Sequence, residues 1–337
     1  MRVITCFGRL FLPFLLLICL TGPVHSESVK KPIKIVFSTY WPTSYEYLWL
    51  PIKHFAQNVE KRSSNRVKFE LHHSKQLFDG FEEFKALERG DIDMSSPLDI
   101  YNIDSIPEFG ISSLPFLYDN IQSLENALDA GLWDLGITQK LLDHNIVVLN
   151  VSVLEPYQIY SRDFQVISPK DIKDKKWGVS GATHSKAIEI LGGIPELMSS
   201  GKLYMEFQKG KINGCTRPLL TGYGRQLYEV IDYITINNFS LISTFLSINK
   251  DKWDSLPEDI QTIIKEEALI KSQEQTGRLN QEINNHIEFY KKIGVKLHFS
   301  TKQEIEAFRK AMLPVYDWWL KKVPDGQKYI NFVKAHR

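Results

Sequence analysis

Ser199-Ser200-Gly201-Lys202-Leu203-Tyr204-Met205-Glu206-Phe207-Gln208-Lys209-Gly210-Lys211-Ile212-Asn213-Gly214-Cys215-Thr216-Arg217-Pro218 reads as a short helix stopped by Gly210, a very short strand, and a loop opening at Gly214. Glycine takes the left-handed conformation at a helix end without a Cβ penalty, which suits Gly210 to that stop. The same punctuation stands about 120 positions earlier, in Phe84-Lys85-Ala86-Leu87-Glu88-Arg89-Gly90-Asp91-Ile92-Asp93-Met94-Ser95. Each copy runs through an aromatic residue, helix formers, a polar or basic pair, glycine, a charged residue, isoleucine, Asp or Asn, and then small residues. Two equivalent helix-to-strand units predict two similar α/β lobes. Ligands of open α/β sheets lie beyond the carboxyl ends of the strands, where these loops point, so the expected site is a cleft between the lobes.

The chain of 337 residues is long enough for two sizeable cores. Its 43% hydrophobic and 24% charged content excludes disorder, and a formal net charge of +1 offers no basic excess for nucleic acid. Arg2 and Arg9 precede the eleven-residue apolar run Leu10–Leu20, and Val24-His25-Ser26 follows as a small-residue cleavage pattern. A bilayer span needs roughly 20 apolar residues, so residues 1–26 read as a secretory signal peptide. A lipoprotein signal through Cys19 is disfavoured by bulky Ile18 beside it. Cleavage after Ser26 removes two arginines and no acids, leaving 41 − 2 = 39 basic against 40 acidic residues, net −1. Cys6 and Cys19 leave with the signal, so Cys215 is the one cysteine of the exported chain, which then has no internal disulfide.

Lys34–Ser38 is β-prone, and a helix is predicted from about Tyr45 to Lys61, with Leu48, Ile52, Phe55, Ala56 and Val59 on one face. Val67–Leu71 alternates as a strand. Helices are expected near 121–130 and 132–143, an apolar strand at Ile146–Leu149, a short strand at Trp177-Gly178-Val179, a helix over 183–191, and a strand from Ile231 to Ile236. Pro257 opens a helix able to run to Ile293, where Gly294 stops it. At 1.5 Å per residue, ~35 residues reach about 50 Å, enough to span and brace both lobes. The division expected is a first lobe of 27–153 plus 241–284 and a second of 154–240 plus 285–337, with the chain crossing near 153–155 and 238–241.

In order along the chain, Phe55-Ala56-Gln57-Asn58-Val59-Glu60, Gln76-Leu77-Phe78-Asp79-Gly80, Leu87–Met94, Leu114-Pro115-Phe116-Leu117, Leu203-Tyr204 to Asn213-Gly214, and Leu256–Gln261 resemble the extracytoplasmic solute-binding subunits of tripartite ATP-independent periplasmic (TRAP) transporters, the DctP-like family. The resemblance covers nearly the whole mature chain. It implies a periplasmic, two-lobed receptor of α/β fold with a long bracing helix, closing on a small organic acid. The acid would pass to membrane permease subunits driven by an ion gradient. A monomer without cofactor, metal or enzymatic activity is expected.

Two departures from the family pattern bear on the site. The family's carboxylate-binding arginine, in the strand after Asp171-Ile172, falls at Gly178, and a second arginine of some members falls at Gln158. Conversely, the family motif Asp-Gly-Gln-Glu-Asn-Pro stands here as Asn213-Gly214-Cys215-Thr216-Arg217-Pro218, which puts Arg217 at a pocket position. Arg217 is therefore the expected anchor, because a guanidinium forks onto a carboxylate as an ammonium does not. Gly178 is expected to leave room for it or for the ligand. Trp41, Tyr40 and Tyr45, in the loop after the first strand, could stack on a flat ligand or cage a quaternary ammonium. Gln158, Ser180, Ser200 and Leu98 complete the candidate lining. The rival readings are a receptor for a cationic or neutral solute held by the aromatic loop, and a secreted enzyme using Cys215 with its thiol pKa lowered by Arg217. Adjacent His72-His73, without HExxH, CxxC or Walker spacing, indicates no metal or phosphate site. Trp318-Trp319 reads as helix packing against the second lobe.

Overall fold

The computed structural model describes residues 31–336; the expected signal peptide lies outside the described residues. Two sheets form. Strands β1 (Ile33–Ser38), β2 (Val67–His72), β3 (Met94–Ser95), β4 (Ile146–Val153) and β10 (Ser243–Asn249) make the first, in the order β2-β1-β3-β10-β4. The second runs β11-β9-β5-β8-β6-β7, built from β5 (Tyr157–Ser161), β6 (Lys176–Val179), β7 (Ile194–Leu197), β8 (Gly214–Pro218), β9 (Tyr233–Ser240) and β11 (Lys296–Phe299). Helices cover both, giving the expected two-lobed α/β architecture.

The two punctuated units fold alike, and for the same reason. Gly90 (φ 77°) and Gly210 (φ 66°) both take the left-handed conformation after the helices Glu83–Arg89 and Leu203–Gln208. In the first, Gly90 N donates to Leu87 O and Asp91 N to Ala86 O; in the second, Gly210 N donates to Phe207 O and Lys211 N to Glu206 O, all at 2.9–3.1 Å. These paired bonds satisfy carbonyls that the helix end would otherwise leave bare, and they turn the chain sharply into the next strand. That strand starts later than the sequence suggests in the second unit. It begins at Gly214 and runs through Pro218, where a loop was expected, because β8 is central and pairs with β5 on one side and β6 on the other. Gly214 is the one residue that fits there: a Cβ would lie 2.3 Å from the Trp177 ring.

The chain passes between sheets at Leu154–Pro156 and at Leu241-Ile242, tied together by Leu154 N to Ile242 O at 3.1 Å. The long helix Glu258–Lys292 is a third link. Its first half lies on the helix Glu46–Arg62, where Glu267 accepts from Asn58 at 3.0 Å and from Arg62 at 2.9 Å. Its second half meets the other lobe, with the Tyr290 hydroxyl donating to Leu219 O at 2.9 Å. Fully buried Glu155, on the first crossing, accepts from Leu220 N at 2.9 Å and pairs with His286 of the long helix at 3.2 Å, so one carboxylate ties crossing, brace and second lobe.

The C-terminal segment departs from the expected division. β11 edges the second sheet, but the helix Gly326–His336 packs on Ile121–Asp129 and the 132–135 turn, on the first sheet's side. Phe308, Met312, Val315 and Trp319 form the buried stripe of Lys302–Lys322. Trp319 faces the first lobe: its Nε1 donates to Pro107 O at 2.8 Å, and its ring lies where a Cβ on Gly110 would stand. This helix also packs on Ala182–Ile190, so it straps the seam between the lobes.

Lys271 sits in the buried stripe of the long helix with Gln275 Oε1 as a partner at 2.6 Å, and burial pushes its pKa from 10.5 down to about 7. The folded state thus favours the neutral amine. The attached penalty is absent above pH 10.5, grows as pH falls toward 7, and is full below 7. Lys271→Met is expected to raise Tm by roughly 2–8 °C at pH 6, with the gain fading by pH 10; melting curves across that range test it. A gain that does not change with pH would mean that Lys271 is not held neutral.

Candidate functional site

The loop Thr39–Ser44 after β1, the turn after β3, the first crossing, the turn after β7 and the end of β8 converge between the two sheets. They close down on a narrow cavity of about 20 Å³ walled by Tyr40, Trp41 and Tyr45 on one side and by Ser200, Arg217 and Thr221 on the other. Leu98 and Tyr101 close it from the first lobe, and Leu154, Tyr157 and Ile242 from the crossings. A wider groove between Ile121–Asp129, β4 and the long helix is more open to solvent, and no arginine lines it.

The aromatic wall is packed on itself. Tyr40 meets Trp41 edge-on at 6.2 Å and Tyr101 at 5.6 Å, and Phe81 stacks on Tyr101 at 4.4 Å. Gly80 makes this possible, because a Cβ there would lie 2.7 Å from the Tyr101 ring. Contacts across the rim hold the lobes together: Ser200 N donates to the Tyr101 hydroxyl at 3.3 Å, Ser199 to Asp79 at 3.1 Å, and Ser44 to Gly224 O at 3.3 Å. Arg225 lies over the Tyr45 ring at 5.4 Å, with an Nη at 3.5 Å from Tyr40 O, and is not among the residues lining the cavity.

Arg217 is 1% exposed. Its strand places it opposite Gln158 and one residue before Pro218, so the side chain reaches across the ends of β6 and β7. Nη1 donates to Thr216 O at 2.8 Å and to the Ser180 hydroxyl; Nη2 donates to Met198 O at 2.7 Å and to Val179 O at 3.4 Å. Nε, also buried, has no partner. Among the described residues no carboxylate pairs with this guanidinium. Its charge is felt through the site: it pulls down the pKa of the Tyr101 and Tyr157 hydroxyls against the larger upward push of burial. His184 is driven down to about 3, by burial first and Arg217 second, and as a neutral ring it bridges Ser240 at 2.7 Å and Thr216 at 3.2 Å.

Of the residues singled out from sequence, Arg217, Trp41, Tyr40, Ser200 and Leu98 meet around the cavity. Ser180 stands behind them, bonded to Arg217 and, at 3.1 Å, to the Tyr157 hydroxyl. Gln158 does not line it. At the irregularity where β5 leaves register with β9, its Oε1 accepts from Asn237 N at 2.9 Å and Asn238 N at 3.0 Å, and its Nε2 donates to Asn238 Oδ1 at 2.9 Å. The amide replaces ladder bonds that the bulge removes. Gly178 also lies elsewhere. A Cβ there would meet Leu203 at 2.8 Å, Ile212 at 3.2 Å and Met198 at 3.3 Å, so the second lobe's apolar core fills that space, and neither Arg217 nor a ligand does. Nor does Arg217 activate Cys215: the thiol is fully buried, and burial outweighs the arginine and pushes it up to about 12. Tyr101, Tyr157 and Ile242 were missed. Tyr157 adjoins the crossing and Ile242 lies on the other one, so the hinge positions themselves were the signal; Tyr101 has none in its local pattern.

Residues 37–322 match the family model described as bacterial extracellular solute-binding protein, family 7. The C4-dicarboxylate-binding periplasmic protein DctP of Rhodobacter capsulatus is 24% identical over 289 residues, 83% of this chain and 84% of that protein. The 2,3-diketo-L-gulonate-binding periplasmic protein YiaO of Escherichia coli is 21% identical over 83% of this chain and 85% of its own. Among solved structures, a TRAP periplasmic solute-binding protein of Chromohalobacter salexigens with bound D-glucuronate superposes with a TM-score of 0.85 at 21% identity, covering 90% of this chain and 100% of its own. A Bordetella pertussis extracytoplasmic solute receptor binding pyroglutamic acid gives 0.84 at 18% identity, covering 89% and 99%. The fold, the cleft and the family match agree: this chain belongs to family 7 of the bacterial extracellular solute-binding proteins.

Proposed function

We propose that this chain is a receptor that takes a small organic acid between its lobes, sets the carboxylate on Arg217, and delivers it to TRAP membrane subunits without chemical change. The single observation that carries this is a fully buried guanidinium, facing a cavity, with no acidic partner among the described residues. A buried cation without a counter-charge is costly, and an anionic ligand removes that cost. The four Nη hydrogens are committed to protein oxygens, which fix the group in place. Nε–H is uncommitted and Val179 O is the longest of the four bonds, so a carboxylate entering side-on takes Nε–H and competes for that one. A cationic solute in the aromatic cage is disfavoured, because no carboxylate lines the cavity and Arg217 would repel it. Catalysis by Cys215 is disfavoured by burial, which pushes its thiol up to about 12 and the His184 imidazole down to about 3, each the form least suited to a thiolate–imidazolium pair.

Three measurements test this reading. Calorimetry with an organic acid that binds the parent should show Arg217→Ala weakened by about two to four orders of magnitude and Arg217→Lys in between, with melting curves checking that both fold. Gln158→Ala, outside the cavity lining, should bind within about tenfold of the parent while lowering Tm. Undiminished binding by folded Arg217→Ala removes the anchor.

Native protein treated with iodoacetamide at pH 8 should leave Cys215 unlabelled until denaturant is added; mass spectrometry of the Cys215 peptide reads this, and rapid native labelling would reopen the enzymatic reading.

Saturation with a tight ligand should shrink the radius of gyration in small-angle scattering, as rigid lobes close about the crossings at 154–156 and 241–242. An unchanged radius counts against closure.

A further inference from the structure

The wall of the cavity narrows the class of acid, on the carboxylate reading above. We infer that the cleft selects monocarboxylates with a hydrocarbon body, aliphatic or aromatic, and at most one further oxygen beside the carboxylate, over sugar acids and dicarboxylates. Charge is the first reason. Arg217 is the one charged residue of the lining; Arg225, outside it, is engaged by the Tyr45 ring and Tyr40 O. A second carboxylate would enter a buried space with no counter-charge, which costs far more than the first gains.

The second reason is the balance of polar atoms. The Tyr157 hydroxyl is committed to Ser180 at 3.1 Å, and the Tyr101 hydroxyl accepts from Ser200 N at 3.3 Å and is shared with Tyr40. The Arg217 Nε–H and the buried Ser200 hydroxyl remain without partners, while the Tyr45 hydroxyl is engaged by the Arg225 guanidinium. Ser200 and Arg217 share this side of the cavity, so the free Ser200 hydroxyl is the donor left for an oxygen beside the carboxylate. Beyond that point the wall is mainly hydrocarbon, from Leu48, Leu98, Leu154, Leu220, Ile242 and the faces of Tyr40 and Trp41, with the Thr221 hydroxyl as an exception. The hydroxyls of a sugar acid would be buried there without partners, each costing roughly tenfold in affinity. A hydrocarbon body gains instead.

The test is calorimetry on the purified protein with 4-methyl-2-oxopentanoate, phenylpyruvate, D-glucuronate and succinate. At least one of the first two should bind ~100-fold or more tightly than either of the last two. Ser200→Ala should lose about tenfold for 4-methyl-2-oxopentanoate but little for 4-methylpentanoate, which lacks the 2-oxygen. D-Glucuronate or succinate binding as tightly as the hydrocarbon acids overturns the inference while leaving the carboxylate reading intact. Binding of a neutral or cationic solute with no acid binding, or no binding by any of the four acids, overturns both.

Discussion

A guanidinium buried among backbone carbonyls at the ends of strands sets the terms for this molecule. Arg217 draws on Thr216 O of its own strand, on Val179 O and Ser180 at the end of β6, and on Met198 O just past β7. Three strand ends are thereby fixed around one positive charge. Carbonyl dipoles solvate the cation in place of water but do not neutralise it, so the second lobe offers a preformed, net-positive floor. The neighbours conform to this: His184 is neutral, and the tyrosines keep their protons.

That floor borders the cavity only where the first lobe covers it. The cover is aromatic: Tyr40, Trp41, Tyr45 and Tyr101 present large, rigid surfaces that lose little entropy on ordering. The lobes meet through a few polar contacts at the rim and more firmly behind the cleft, where Ser113 bonds Thr183 at 2.7 Å and a Cβ on Gly181 would lie 2.1 Å from Ile100 O. Glu155 is the joint of this arrangement, since it touches the second lobe and the long helix from the crossing itself. Two short crossings and one long helix are the links that join the two lobes, beside the contacts at the rim and behind the cleft.

The brace also explains an odd feature of its sequence. The buried stripe of Glu258–Lys292 includes Glu267, Lys271, Gln275 and His286 beside Ile260, Ile264, Leu279 and Tyr290. A helix serving one core would bury hydrocarbon throughout. This one runs past a core, a joint and a second core, and polar residues pair with Asn58, Arg62 and Glu155 as it goes.

The sequence by itself determined the local folding. Glycines at 90 and 210 dictate left-handed helix stops, proline and glycine bracket the long helix within a residue or two, and apolar spacing places the helix Glu46–Arg62. These are short-range effects, decided by backbone sterics and side-chain period. Arg217, expected from its place in the family motif, and Trp41, Tyr40, Ser200 and Leu98, each just past a strand, all line the cavity. Gln158 and Gly178 misled because their roles depend on partners far along the chain: a register slip against β9, and a core filled by Leu203 and Ile212. Tyr101 joined the site through Gly80 and Phe81, and Trp319 joined the first lobe through Pro107 and Gly110. Only the tertiary structure decided which way such residues face, because burial and pairing are set by the atoms that long-range packing brings within contact, not by their neighbours along the chain.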